Sequence, residues 1–552
     1  MDKINQEFPF PEFRNCQYKA IESTIDIFNT DKKFIMLEVP TGGGKSAIAL
    51  TIARLLGPAY ILTVTKQLQT QYIKDFGEHG QYVGNRCPMI DLKGRNAYPC
   101  IYYNHALNNK FEDMKFTDKE IERYKEIIIH NPGCDIGECI KNGKSRLDCC
   151  ADPCKYWIQK DKAINSHICL MNFSSFLFQT LMTKDFSNRN LLIIDEAHTI
   201  EKQLMGFIEL TISDKEFLNA GIGGEIYIKF PEFKNVIDYV KYFTDTNIIK
   251  ILTNRKNMAK FVDDWETVNR LESIIVKLAI FLNSDHDNWV FEYKERSKWR
   301  TITFKPILVN DFADKYLFSK ADKVLMMSAT ILEPKVMADY LGIDKNEIYS
   351  RRFDNDFPKE NRPIYIDSIG NINYQNKYQM FPKMINKVDE ICDKYENERG
   401  IIHTHTFEIA ETLIDKCKSK DRFFFQKDER WKNNKDIMLE EFKKSKNGII
   451  VAPCMHEGLD LPDECARFAI ITKIPYPSQG DPQIKKRLEL SDDFYTLETA
   501  IKIVQSAGRI VRHKEDWGHT YIIDGNFYFF NKKNGNLFPK WFKDAIIFVK
   551  NK

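Results

Sequence analysis

Residues 38–46 read Glu38-Val39-Pro40-Thr41-Gly42-Gly43-Gly44-Lys45-Ser46. No other stretch narrows the fold as much. A short apolar run, 34–37, leads into it, and a helix-forming run, 47–56, follows. Strand, glycine loop, helix is the order in which backbone N–H groups wrap a phosphate chain, with the positive end of the helix behind them. In that arrangement Thr41, Gly42, Gly43 and Gly44 surround the phosphates. Lys45 reaches the outer ones, and Ser46 offers its hydroxyl to Mg2+. The generic pattern has glycine where Val39 stands. The plain alternative is a glycine-rich turn that binds nothing. The Gly44-Lys45-Ser46 ending, placed between a strand and a helix, weighs against it.

Such a loop needs a parallel sheet behind it. Runs able to supply one recur at 60–64, 191–194, 324–327, 401–403, 449–452, 468–472 and 521–523, each followed by polar or small residues and a helical pattern. This alternation predicts α/β layers, in two groups split near residue 345. Two stretches interrupt the first group. Residues 94–154 are rich in Cys, Gly and Asn with few strand signals. Residues from about 205 to 300 carry a helical stripe, with Trp265, Val268, Leu271, Ile275, Leu278 and Leu282 on one face, which reads as core packing. The 552 residues suit three or four domains, and 43% hydrophobic against 29% charged residues is an ordinary globular balance. No apolar run reaches the ~18 residues of a membrane span. Residues 1–10 lack the basic-then-apolar pattern of a signal peptide. The expectation is a soluble intracellular protein, cytoplasmic or nucleoid-associated. A net charge of +3 excludes a polycation, so any nucleic-acid partner must be held by local surface.

Two further motifs fit a nucleotide site. Asp195-Glu196-Ala197-His198 directly follows the apolar run 191–194. There Asp195 is placed to hold Mg2+ and Glu196 to activate water, with His198 linking the site to its neighbours. An Asp-Glu pair alone is more often a solvated turn. Gln505-Ser506-Ala507-Gly508-Arg509-Ile510-Val511-Arg512 ends a helical pattern in the second group. Arg509 and Arg512, three apart, are expected on one helix face, where two guanidiniums would act as arginine fingers on the transferring phosphate. Alone, a basic surface face is the better reading; the second α/β layer favours the fingers.

Seven of the 13 cysteines fall between Cys87 and Cys154. In a cytosolic chain such a cluster points to metal rather than disulfides. Thiolates suit iron–sulfur or zinc, and spacing does not choose between them.

The phosphate loop, the Asp195 box and the arginine segment, with other motifs in order, resemble the XPD/DinG family of iron–sulfur superfamily 2 DNA helicases over nearly the whole chain. Arg14 and Gln17 resemble the adenine-side Q motif, and Thr65-Lys66-Gln67-Leu68-Gln69 resembles motif Ia. Met327-Ser328-Ala329-Thr330 resembles motif III, and His403-Thr404-His405-Thr406 resembles motif IV. Glu457-Gly458-Leu459-Asp460 is similar to motif V, and residues 505–512 to motif VI, continued by Asp516-Trp517-Gly518. The resemblance implies an α/β fold with two RecA-like parallel-sheet motor domains, an iron–sulfur insertion and a mainly helical arch insertion. The implied first motor comprises 1–93, 155–204 and 301–345. The iron–sulfur domain is 94–154, the arch 205–300 and the second motor 346–552. It also implies ATP between the motors, held by Arg14, Gln17, the loop residues, Asp195, Gly458 and Asp460, with Lys45, Asp195, Glu196, Gln505, Arg509 and Arg512 as catalytic residues.

The segment ending at Cys100 resembles the approach to the family's first cluster ligand, and Cys154-Lys155-Tyr156-Trp157 resembles the last. The resemblance favours a 4Fe–4S cluster on Cys100, Cys139, Cys149 and Cys154, with Cys134 and Cys87 as spares. Adjacent Cys149 and Cys150 would not easily both ligate one cluster. The implied activity is ATP-dependent unwinding as a monomer, 5′ to 3′, on single-stranded and forked DNA, with the cluster domain as a wedge. A translocase that remodels complexes without processive unwinding, and an ATP-gated nucleic-acid clamp, stand as alternatives. Candidate phosphate contacts are Thr65, Lys66, Gln67, Thr404 and Thr406, and beside the cysteines Lys141, Lys144 and Arg146. No further domain is expected before Gln17 or far beyond Gly518.

Overall fold

The computed structural model describes residues 2–14, 16–101, 133–136, 154–183, 185–217, 230–262, 264–296, 299–354, 357–431, 434–453, 461 and 463–549. Two seven-stranded parallel sheets organise them. The first runs Ile348–Arg352, Phe34–Glu38, Ala321–Ser328, Arg189–Asp195, Ala59–Thr63, Ile168–Asn172 and Ile90–Leu92. The second runs Phe423–Phe424, Ile449–Ala452, Gly400–His403, Phe468–Ile471, His519–Ile522, Ile364–Ile366 and Ile546–Phe548.

The strands are apolar on both faces because both faces are covered. In Phe34–Glu38, Ile35 and Leu37 enter one core while Phe34 and Met36 enter the other. The same alternation in Arg189–Asp195 sends Ile193 one way and Leu192 and Ile194 the other. That is the two-sided burial that makes parallel strands read as continuous apolar runs. Every apolar run expected as a strand forms one.

The expected boundary at 345 falls inside the first sheet. Ile348–Arg352 pairs in parallel with Phe34–Glu38, register Phe34 to Ile348, so the first layer continues to Arg352. Glu38 fixes this edge: its carboxylate accepts from Arg352 Nε at 2.9 Å and from the Leu332 amide at 2.7 Å.

The stretch expected as a mainly helical arch does contain helices, Val236–Asp245, Ile248–Phe261 and Trp265–Leu282. It also holds an antiparallel sheet, Leu210–Ser213, Trp299–Pro306 and Trp289–Arg296, which runs past residue 300. On the longest helix the buried face is Trp265, Val268, Leu271, Ile274, Leu278 and Phe281; Ile275 and Leu282 are only partly covered. The stripe drawn at 275 and 282 is therefore off by one position in its later turns. The ring of Phe281 explains the preference: it lies 4.9 Å from Trp289 and 4.5 Å from Phe304 of the antiparallel sheet. The helix Pro482–Leu490, from the second-sheet half, docks on the same sheet, where Gln483 Nε2 donates to Pro306 O at 2.6 Å and Lys305 pairs with Asp481 at 2.9 Å. Among the described residues no helix is long and apolar enough to cross a membrane.

Candidate nucleotide and metal sites

A cleft of about 840 Å3 opens between the two sheets. Arg14, Thr41, Gly42, Gly44, Lys45, Ser46, Asp195 and Glu196 line it from one side, and Gln505, Arg509 and Arg512 from the other. The phosphate loop leaves strand Phe34–Glu38 and enters helix Lys45–Leu56. Gly42 and Gly44 have positive φ, +78° and +75°. A Cβ on Gly42 would lie 2.4 Å from the Arg512 carbonyl oxygen, so glycine there also permits the close approach of the opposite side. Gln17 and Gly43 do not line the cleft. Gln17 is buried behind the loop, where its amide nitrogen donates to Gly44 O at 3.3 Å and its amide oxygen accepts from Arg14 N at 2.8 Å. Gly458 and Asp460 lie outside the described residues.

The carboxylates of the cleft, Asp195 and Glu196, lie on the first-sheet side beside Lys45. Lys45 Nζ sits 3.4 Å from Glu196 Oε1. Burial pulls the Lys45 ammonium down, but the Glu196 and Asp195 carboxylates outweigh it and hold it above its ordinary value. Glu196 is lowered: burial opposes ionisation, and Lys45, His198 and Arg509 overcome it. Its backbone is left-handed, φ +54°, an uncommon conformation for glutamate that aims the side chain into the cleft. Asp195, at the end of its strand, is pushed up to about 6 by burial and by the Glu196 charge. The Asp195 carboxylate and the Ser46 hydroxyl are hard-oxygen donors of the kind Mg2+ takes.

A hydrogen-bonded relay crosses the cleft. Gln505 Nε2 donates to His198 Nε2 at 2.7 Å and to Thr330 Oγ1 at 3.0 Å. His198 Nδ1 lies 2.7 Å from Ser328 Oγ and 3.5 Å from Glu196 Oε2. The Asp195 box, the Ser328-Ala329-Thr330 turn and the Gln505 helix thus share one contact set. Arg509 and Arg512 do not share a helix face. The helix Asp493–Ala507 ends at Gly508, and the following loop is pinned by Arg512 N donating to Asp516 Oδ2 at 2.8 Å. Both arginines line the cleft from that loop: Arg509 acts on Glu196 and Arg512 on Lys45 through their charges.

The candidate DNA contacts separate. Thr65 caps helix Lys66–Phe76, and Lys66 and Gln67 are exposed at its start. Thr404 is fully buried, and its hydroxyl donates to Thr406 O at 3.1 Å, so it is not available to a phosphate. Thr406 caps helix Phe407–Lys416. Lys141, Lys144 and Arg146 lie outside the described residues. Phe357, Arg362, Lys435 and Trp541 also line the cleft. Sequence reasoning missed all four, and no motif marks them; only the folding of the second sheet brings them to the loop.

Three thiols converge beside the first sheet. Cys134 Sγ lies 3.7 Å from Cys154 Sγ and is also hydrogen-bonded to Cys100; all three are buried. The bridge between Pro99 and Gly133 and the Cys134 N–H to Tyr98 O bond, 2.8 Å, bring 134 to 100. Cys154 caps helix Lys155–Asn165. Its thiol is pulled down, first by the Cys134 hydrogen bond and then by backbone N–H groups of Trp157 and Tyr156. Cys134, expected to be a spare, is therefore inside the group. Its neighbours in sequence did not reveal this because an antiparallel bridge, not spacing, places it. Cys139 and Cys149 lie outside the described residues. Cys87 packs against the opposite core.

Residues 10–246 match the family described as type III restriction enzyme, res subunit, and residues 388–545 match the helicase C-terminal domain. The chain is 22% identical to ATP-dependent DNA helicase CHL1 of Vanderwaltozyma polyspora over 81% of its own length and 62% of that protein's. It is 21% identical to a probable ATP-dependent helicase of Methanocaldococcus jannaschii, over 95% of this chain and 93% of the other. A solved XPD helicase superposes with TM-score 0.62 at 14% identity, covering 98% of this chain and 100% of that one. Together these likenesses support an XPD-like superfamily 2 helicase family for the chain. The two sheets are accordingly the RecA-like layers of an XPD-like fold. The chain spans less than two thirds of the CHL1 relative's length.

Proposed function

We propose that this XPD-like chain is an ATP-dependent DNA helicase. The observation that carries the reading is the cleft itself, where Lys45, Asp195 and Glu196 of one sheet meet Gln505, Arg509 and Arg512 of the other. ATP binds with its phosphates in the Thr41–Ser46 loop. Lys45 and Arg512 bear on the outer phosphates. Glu196, ionised and aimed by its left-handed backbone, orients and deprotonates the attacking water. Ser46 and Asp195 would hold Mg2+, which neutralises charge on the phosphates. The Gln505–His198 bond makes the second sheet sensitive to what happens at Glu196. Opening and closing of the cleft then alternates the grip on a single strand of DNA.

Lys66, Gln67 and the Thr406-capped helix are the phosphate contacts, a sequence-independent grip suited to single-stranded and forked DNA. Movement is 5′ to 3′, following the family resemblance, and the working unit is a monomer. Cys100, Cys134 and Cys154, with a fourth thiolate from 137–153, would hold a 4Fe–4S cluster; soft thiols in a buried pocket fit that group. The cluster would tie a small domain into a rigid wedge.

The test is DNA-stimulated ATP hydrolysis. Lys45→Ala and Glu196→Gln are expected to lower turnover at least about a hundredfold, the lower end of what a general base contributes. Near-normal turnover in either variant would remove the site assignment.

A further inference from the structure

Helix Lys66–Phe76 carries a buried tyrosine to which none of the roles above is assigned. Tyr72 is 1% exposed, and its ring packs edge-on against Phe76 at 6.3 Å. A phenylalanine would fill the same space. What tyrosine adds is a hydroxyl, and that hydroxyl is fully engaged. It donates to Asp195 Oδ2 at 2.8 Å and is hydrogen-bonded to the Ser46 hydroxyl. Ser46 opens helix Lys45–Leu56, and Asp195 closes strand Arg189–Asp195, so the two belong to separate elements. The proposed function gives them to one Mg2+ ion.

The chemistry of the link is specific. A phenol both donates and accepts, so it can join a serine hydroxyl to a carboxylate; neither partner alone fixes the other. The second carboxylate oxygen, Oδ1, accepts from the Glu196 amide at 2.9 Å. Both oxygens of Asp195 are thus oriented, and each retains an acceptor site. Groups that orient metal ligands from outside contribute strongly to metal affinity. The helix that bears Tyr72 begins at Thr65, beside exposed Lys66 and Gln67. Seven residues, about 10 Å of helix rise, separate that start from the Tyr72 backbone.

We propose that Tyr72 is a positioning residue for the magnesium site, its hydroxyl holding Ser46 and the Asp195 carboxylate in register for one ion and tying the Lys66–Phe76 helix to them. The proposal rests on the ATP-motor reading above and deepens it. The residue acts through its two partners and does not itself line the cleft.

The test uses the full chain, without DNA, and reads binding rather than turnover. A fluorescent ADP analogue is titrated at rising Mg2+ with wild type and Tyr72→Phe. Tyr72→Phe is expected to raise the half-saturating Mg2+ concentration about tenfold, the range seen when a supporting partner of a metal ligand is lost. Its nucleotide affinity in EDTA should match wild type, and excess Mg2+ should restore tight binding. Equal Mg2+ dependence in the two chains would overturn the role of Tyr72 while leaving the motor reading in place. Absence of any Mg2+ effect on wild type would instead overturn the motor reading. Should the variant fold incompletely, Mn2+ bound per nucleotide, counted by EPR, is independent of the folded fraction; an unchanged Mn2+ affinity by that measure overturns the proposal equally.

Discussion

At the residue scale the site is built from groups held away from their ordinary protonation behaviour. Lys45, Asp195 and Glu196 shift one another inside a buried cleft, which is the pattern expected where charge will be moved. His405, outside that cleft, gives a cleaner pH experiment. Burial, with the Lys502 and Lys473 charges, pulls its imidazole down to about 4, and its Nε2 lies 3.1 Å from Tyr476 O. The unfolded chain takes up this proton near pH 6.5, while the folded chain refuses it until about 4. Stability contributed by this group is therefore complete above 6.5 and is lost as pH falls toward 4. His405 has φ +63°, a conformation that asparagine tolerates. Thermal melting of His405→Asn across this window is expected to show a shallower decline than wild type; an identical decline would mean that other groups carry the pH dependence.

At the element scale the lesson is which local patterns survive packing. Phe281, fully buried between Trp289 and Phe304, should be far more costly to truncate than Ile275 on the same helix. Phe281→Ala is expected to cost about 3–5 kcal/mol and Ile275→Ala about 1 kcal/mol, read from denaturation midpoints. Equal losses would restore the stripe drawn from the sequence. The strands bordering the motifs were legible because buried parallel strands are long apolar runs. Ile364–Ile366 and Phe423–Phe424 were not, since three and two residues carry no period. Ile348–Arg352, reading IYSRR, hides its strand behind charge at the sheet edge, where Arg352 pairs with Glu38. The arginine pair was found from its motif, yet its support was misread. Gly508 stops the helix, and a loop delivers both side chains to the cleft. Cys134 shows the opposite limit: three thiols meet through a bridge between Pro99 and Gly133 that spacing does not encode. Cys134→Ser is accordingly expected to lower iron content as severely as Cys100→Ser, with Cys87→Ser unchanged, in protein purified anaerobically. Full iron content in Cys134→Ser would return that residue to the status of a spare.

At the scale of the whole molecule, two similar sheets would do little as separate bodies. Contacts that cross between them join the two layers. The His198–Gln505 bond is one, and the pairing of buried Arg487 with Glu201, just after the Asp195 box, is another. Helix Pro482–Leu490 also locks onto the antiparallel sheet of the insertion through Gln483 and the Lys305–Asp481 pair. These contacts link the cleft to the insertion as well as to the second sheet. The proposed outcome of motion coupled through them is separation of DNA strands. The most direct measurement is unwinding of a fluorescently labelled forked duplex, run with wild type and Glu196→Gln and with the free tail placed at either end. ATP-dependent strand separation by wild type is expected on the substrate with a 5′ tail, and none by Glu196→Gln. Robust ATP hydrolysis on DNA with no strand separation on either fork would contradict it.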